Sequence, residues 1–380
     1  MKSKLFSLFT CICMLFACSN KSPKQADNSK LFLLVGTYTS GSSVGIYVYE
    51  LDTITGETSY VSETKVSNPS FLAVSKDEKY IYAVSEDEGD NAKVHAYAFD
   101  KSTGQLIHLN EQQTKGDHPC YVNVDATNKF VVTANYTGGN ISVFPLSDDG
   151  TLMPASQVKG FSSSVLAKFD TPSHLHSVVF SPDQKYAFAA DLGKDKIYPF
   201  AVHLNPEDGL FLQARKTFSF DLEPGSGPRH IAFHPNGKYV YVINELSGKV
   251  TAFSYDDGIM NPIQYIASDT TSSTKKKGSA DIHLSPDGKF LYSSNRLQSD
   301  GIAIFSVDKN TGLLNFIGYQ ATGIHPRNFT ITPNGRFLLV ANRDSNNIQI
   351  FNIDKQTGLL HYLGKEIQLN KPVYLNFIKK

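Results

Sequence analysis

One short unit recurs along this chain: a strand, a tight turn and a second strand. It is clearest from Gly227 to Glu245, where Ile231-Ala232-Phe233 and Tyr239-Val240-Tyr241-Val242-Ile243 flank the turn Asn236-Gly237. The unit returns from Asn68 to Glu86, His118 to Tyr136, Ser173 to Leu192, Gly278 to Arg296 and His325 to Arg343, with turns such as Asp287-Gly288 and Asn334-Gly335. An Asx-Gly pair between β-branched and aromatic runs signals a hairpin, because the turn needs positive φ.

A third strand follows each hairpin, as in Lys249 to Tyr255, Gly301 to Val307 and Asn347 to Ile353, then a second turn and a weaker fourth strand. The second turns carry Gly56, Gly104, Gly150, Gly209, Gly258, Gly312 and Gly358. A period of roughly fifty residues suits four-stranded propeller blades and not helical repeats. One unit is divided between the chain ends. Leu31–Thr37 and Gly45–Leu51 match second and third strands with no first strand before them, and Lys371-Pro372-Val373-Tyr374-Leu375-Asn376-Phe377 matches a first strand. The expected fold is therefore all-β, a seven-bladed propeller of four-stranded antiparallel blades over residues 31–380, closed by the C-terminal strand joining the N-terminal blade. Closure removes the open end where another sheet could add. No long helical periodicity interrupts this stretch.

Ahead of the repeats stand Met1-Lys2-Ser3-Lys4, an apolar run from Leu5 to Ala17, and Cys18. The run is too short for a permanent membrane span and reads as an export signal, residues 1–17. Leu15-Phe16-Ala17-Cys18 resembles the bacterial lipobox. That resemblance implies cleavage before Cys18, lipidation of Cys18, a flexible tether over 18–30, and a domain exported and lipid-anchored at the cell envelope. The membrane is then a partner only through the anchor. Lys plus Arg and Asp plus Glu are 36 each, so no net charge draws the chain to nucleic acid. Cys120 is the one cysteine left in the mature domain. It can form no intramolecular disulfide there, and it reads as a small buried side chain more than as a nucleophile.

In an antiparallel hairpin the start of the first strand lies beside the end of the second. In a propeller that end surrounds the mouth of the central channel, and the Asn-Gly turns face the other way. Entering the first strands, the aligned residues are Ser70, Cys120, His176, Arg229, Ala280, Arg327 and Val373; leaving the second they are Glu86, Tyr136, Leu192, Glu245, Arg296, Arg343 and Thr37. The apolar columns repeat whereas these two vary, which points to an asymmetric ligand site. His176, Arg229, Glu245 and Arg296 fall on consecutive blades and could converge. The bland alternative is a cross-strand ion pair between Arg229 and Glu245, worth about 0.2–1 kcal/mol.

Lactone hydrolysis needs a group that activates water, donors for the developing oxyanion and, for an anionic substrate, positive charge. Glu245 and His176 suit proton handling, and Arg229 and Arg296 suit anion clamping. The repeats resemble the seven-bladed lactonase family that includes bacterial propeller-type 6-phosphogluconolactonases and the fungal carboxymuconate lactonizing enzyme. The resemblance is strongest in Ser173-His174-Leu175-His176-Ser177 with Ala190-Asp191-Leu192-Gly193-Lys194-Asp195, in Gly227 to Gly237, in Asn244-Glu245-Leu246 and in Ser294-Asn295-Arg296, with Val35-Gly36-Thr37-Tyr38-Thr39 like the first blade. It implies a carboxylic-ester hydrolase acting on a small sugar lactone, with His176, Arg229, Glu245 and Arg296 catalytic. His174, Asp191, His230, Arg327 and Arg343 are expected around the substrate.

His174-x-His176 places two imidazoles on one face of an extended segment, a spacing compatible with a transition metal. No third ligand is obvious, and neither metal nor other cofactor is expected. His234 and His283 read as structural, as does His230 apart from its place beside Arg229, and Lys275-Lys276-Lys277 as a solvated loop. Two alternatives stand beside the lactonase: a non-catalytic surface propeller binding a glycan or protein, and a cycloisomerase of muconate-type lactones. The sequence does not fix the oligomeric state.

Overall fold

The computed structural model describes residues 29–161, 171–205, 210–215, 219–271 and 277–380. The expected export signal, Cys18 and nearly all of the tether lie outside the described residues; Lys30 already opens a strand. The described residues form seven antiparallel sheets. Blade 1 contains Pro372–Lys379, Lys30–Thr37, Gly45–Asp52 and Thr58–Lys65 in spatial order. Blades 2 to 7 then follow in chain order, with first strands Leu72–Val74, Pro119–Val124, Leu175–Phe180, Pro228–Phe233, Ile282–Leu284 and Pro326–Ile331. No α-helix occurs among the described residues.

The second strand of each blade is buried along almost its whole length because both of its faces are covered. Tyr239–Asn244, Phe290–Asn295 and Phe337–Asn342 are buried at every position. Outer strands such as Thr58–Lys65 keep exposed positions. The core divides into seven clusters, each shared by two adjacent blades. One joins Leu33, Val35 and Leu375 of blade 1 to Leu339 and Ile350 of blade 7, and the ring is thereby closed by packing as well as by pairing. The C-terminal strand runs antiparallel to the N-terminal one from Leu31 opposite Lys379 to Thr37 opposite Pro372, as the divided repeat implied.

Six of the seven second-turn glycines are described, and all have φ between 72° and 83°; Gly209 lies outside the described residues. A side chain there would also strike the preceding blade. A Cβ on Gly312 would sit 2.3 Å from the Tyr239 ring, and one on Gly150 2.3 Å from Tyr80. Tyr241 Oη and Tyr292 Oη donate to the carbonyls of Gly312 and Gly358, each at 2.9 Å. These turns therefore lock neighbouring blades together at the face opposite the mouth.

Blade 4 departs from four strands. Its outer edge is split into Leu212–Ala214, pairing near Val202, and Phe220–Asp221, pairing near Lys196. Both pieces lie on the same third strand, so the blade keeps four layers from axis to rim.

If the closing strand carries the ring, Leu375→Ala will cost about 2–5 kcal/mol, as expected for a buried leucine. Urea unfolding checks this, and an unchanged midpoint would show that closure contributes little.

Candidate active site

A regular strand sends successive side chains to opposite faces, yet Arg229 and His230 touch: Arg229 Nη1 lies 3.2 Å from the imidazole Nε2. The cause is a β-bulge. Pro228 pairs with Asn244 and His230 with Ile243, so Arg229 is an extra residue. The same irregularity isolates Cys120, His176, Arg327 and Val373 in blades 3, 4, 7 and 1. In blades 2 and 6 the first strand begins late, and Ser70 and Ala280 fall just before it. Bulges re-aim side chains and often flank active sites. Here they turn one residue per blade toward the mouth and leave the next to fill the channel below.

Those next residues form a floor. Phe71 of blade 2 packs on Tyr121 and Tyr374 with ring centroids 4.1 and 4.3 Å apart, and reaches His230 of blade 5 at 5.8 Å. Contact between blades so far apart round the ring means that the axis is filled at this level. Asp281 completes the layer. It meets His230 Nδ1 at 2.7 Å and His283 Nε2 at 3.0 Å, and accepts from Asn328 Nδ2. Beneath lies a cavity of about 490 Å³ opening on the opposite face.

Above the floor the charged groups gather. Arg229 Nε is 3.0 Å and Arg296 Nη2 3.1 Å from the same oxygen, Glu245 Oε2. Arg229 Nε is off the hydrogen-bond line, so its contact with Glu245 is ionic without an aligned bond. Late entry of the blade 6 strand frees carbonyls to hold the guanidiniums: Arg296 Nε donates to Gly278 at 2.6 Å and Arg229 Nη1 to Ala280. His325 Nε2 lies 3.2 Å from Arg296 Nη1. A second pair adjoins, in which Glu86 Oε2 accepts from Tyr38 Oη at 2.9 Å and faces Arg327 Nη2 at 3.5 Å. Three arginines against two glutamates leave one unbalanced positive charge where an anion would sit.

Burial and neighbouring charge set the protonation states. Burial would raise Glu245, but Arg296, Arg229 and Arg327 outweigh it and hold the carboxyl below its ordinary range. Burial, reinforced by Arg229, His230 and Arg327, drives His176 well below the usual imidazole value, so it is neutral at pH 7. Burial also pushes the Cys120 thiol up; its Sγ rests 3.6 Å from His176 Nδ1 as a protonated, inert neighbour.

Of the four residues expected to be catalytic, Arg229, Glu245 and Arg296 are in direct contact, while His176 adjoins them through His230, with ring centroids 5.4 Å apart; Arg327 stands in the neighbouring pair with Glu86, and His230 lies in the floor. His174 stands at the edge, its ring stacked on Tyr136 at 4.5 Å, while His176 meets the same Tyr136 edge-on at 5.5 Å. Arg343 is engaged sideways with Asp344, at 2.8 and 2.9 Å. Asp191 is placed differently from the expectation of substrate contact. It is fully buried and accepts from Ser173 Oγ and from the amides of His174, Gly193 and Lys194, bracing the loop that carries His176. Asp195 does the same for Arg229 by accepting from Gly225 and Gly227, each at 2.7 Å.

Sequence alignment missed Tyr38 by one residue. The Tyr38 amide donates to Lys371 as the Glu245 amide donates to Gly227, so Tyr38, not Thr37, is the blade 1 counterpart of Glu245. Glu86 and Asp281 were also missed as functional, although Glu86 stood in the variable column.

The family described as "Lactonase, 7-bladed beta-propeller" matches residues 32–377. The chain belongs to it. A curated relative named 6-phosphogluconolactonase, from Formosa agariphila, is 41% identical over 83% of this chain and 90% of its own. A crystal structure from Bacteroides fragilis NCTC 9343 is 50% identical, covers 94% of this chain and 100% of its own, and superposes with a TM-score of 0.88. A Pseudomonas aeruginosa periplasmic gluconolactonase is 35% identical over 92% of this chain and 99% of its own, with a TM-score of 0.86. The expectation of a lactonase-type carboxylic-ester hydrolase agrees with this membership.

The floor makes a prediction through Asp281. Burial would raise its carboxyl, but His283 and His230 hold it far below the carboxylate range. A depressed acid stabilises above its unfolded pKa of about 3.9 and loses that contribution as pH falls through the folded value. Asp281→Ala should therefore cost about 3–5 kcal/mol at pH 7, and the gap from wild type should narrow below pH of about 4. Urea unfolding at several pH values checks both, and a gap that ignores pH would contradict the assignment.

Proposed function

We propose that the chain hydrolyses a sugar lactone of the 6-phosphogluconolactone type by metal-independent general acid/base catalysis at the channel mouth. The observation that carries the proposal is Glu245, a single carboxylate gripped by Arg229 and Arg296 above a sealed floor. Its side chain keeps 23% exposure while those of the arginines keep 2% and 5%, so water reaches the acid directly and the guanidiniums meet a substrate only as it displaces the carboxylate from them. The names of the Formosa agariphila and Pseudomonas aeruginosa relatives support the substrate class.

In the reaction the lactone carbonyl takes the place where the guanidiniums meet. The incoming oxygen draws Arg229 and Arg296 partly off Glu245, whose basicity rises as the opposing charge is shared. Water attacks the carbonyl carbon and gives its proton to Glu245. The oxyanion is held by the arginines, which supply the positive charge that a Lewis acid would otherwise supply. Collapse breaks the ring C–O bond, and the ring oxygen leaves with the proton returned by Glu245. The new carboxylic acid releases its own proton to solvent. His176, neutral and packed against His230 and Tyr136, lines the pocket as a polar contact for the sugar, and Arg327 with its excess charge faces any phosphate or carboxylate.

Arg229→Ala and Glu245→Gln should each lower kcat on gluconolactone or its 6-phosphate by about 100-fold to 10,000-fold, and Glu245→Gln, which keeps the shape of the side chain, should do so with the thermal transition within a few degrees of wild type. A pH-stat assay reads this, with chelator leaving the wild-type rate unchanged. Both acid-limb candidates are depressed, so the wild-type profile should stay flat from pH of about 5.5 to 8. Wild-type rates no faster than buffer over a broad lactone panel would reject the proposal.

Export and lipid anchoring at Cys18 are part of the same proposal, supported by the opening residues and by the location named for the Pseudomonas aeruginosa relative. The mass of the mature N-terminus should correspond to a lipidated Cys18. A retained Met1 or an unmodified Cys18 would overturn it.

A further inference from the structure

Blade 2 carries a separate group of side chains that the reaction does not use. Its third and fourth strands, Lys93–Asp100 and Gln105–Gln113, pair with His95 opposite Glu111. A bulge after Ala96 then sets His108 opposite Tyr97. His108 and Glu111 are three residues apart, an odd spacing that would ordinarily send them to opposite faces; the bulge brings His108 back beside Glu111. His95 Nδ1 lies 3.2 Å and His108 Nε2 3.7 Å from the same carboxylate oxygen, Glu111 Oε2. All three ligand atoms lie within 4.8 Å of one another.

We propose that His95, His108 and Glu111 bind a divalent transition-metal ion, zinc first among them. Bonds of about 2.0–2.1 Å in a tetrahedron place neighbouring ligand atoms roughly 3.3 Å apart. Two of the three edges are already near that value. The third closes by a small swing of His108, which sits exposed on the outer strand. Two imidazoles and one carboxylate form a donor set that suits zinc and its neighbours over calcium or magnesium, which prefer all-oxygen shells.

The surroundings fit a bound ion. His95 Nε2 is 2.9 Å from Ser85 Oγ, which fixes the ring and presents Nδ1 to the site. The other carboxylate oxygen, Glu111 Oε1, accepts from Lys93 Nζ. Outer partners of this kind orient metal ligands. Three protein ligands leave a fourth position, and this one faces a cleft of about 890 Å³ that Asp87, Glu88 and, toward the mouth, Glu86 also line, so a water could complete the shell. The ion would tie the outermost strand of blade 2 to the strand inside it and create an electrophilic centre on side chains other than those that grip Glu245, in a cleft that reaches the mouth cluster at Glu86.

The test uses untagged mature protein. Zinc is titrated calorimetrically, and cobalt is followed by its visible absorption. One ion per chain is expected, with His108→Ala weakening binding by more than about 100-fold, beyond the 10–100-fold typical of losing an outer-shell partner. His108 is exposed and its loss should leave both folding and lactone hydrolysis unchanged, so failure of this proposal is distinguishable from failure of the catalytic one. Absence of stoichiometric binding, equal affinity in His108→Ala, or loss of the ion in His174→Ala with retention in His108→Ala would each overturn it.

Discussion

The extra residue at the start of the first strand is the constraint from which the site follows. In a regular ladder Arg229 and His230 would point to opposite sides of the blade, and only one could face the axis. The bulge turns both inward, and it does so in five blades. The mouth and the floor are consequently two layers made by adjacent residues of the same strands. In several of those blades the residue two before the bulge has positive φ: His118 at 49°, Gly227 at 64°, His325 at 62° and Lys371 at 52°. Such backbone is costly for non-glycine residues, and the packed ring supplies the stability that sustains it.

Burying three guanidiniums is expensive unless their donors are met. The protein meets them with carbonyls as much as with carboxylates. The short blade 6 strand leaves Gly278 and Ala280 free to accept from Arg296 and Arg229, so Glu245 need not saturate its partners. That division matters for function: a clamp fully satisfied by its own carboxylates would have nothing left for a substrate. The floor plays a complementary part. With Phe71, Tyr121, Tyr374 and the Asp281 cluster filling the axis, a ligand entering at the mouth stops beside the arginines.

Much of this was legible in the repeat. Turn glycines gave the blade count, and the divided unit gave closure, because both depend on local backbone rules. The variable columns located Arg229, Glu245 and Arg296 because column position maps directly onto height along the axis. What escaped depended on one-residue register. Tyr38 was displaced by Thr37 because the first and second strands of blade 1 come from opposite ends of the chain, so no connecting turn fixes their register in the sequence. Asp191 belongs to a different column, that of Asn244 and Asn342, whose side chains are buried below the rim. The floor residue Asp281 was invisible because its importance comes from His230, His283 and Asn328, which lie on three different blades.

The account stands or falls on where a small acid binds. A crystal structure of the protein with gluconate, the ring-opened form of gluconolactone, should place the carboxylate against Arg229 and Arg296 with Glu245 beside it, above the Phe71–Tyr121 layer. Gluconate bound in the cavity on the opposite face, with the mouth arginines still closed on Glu245, would contradict it.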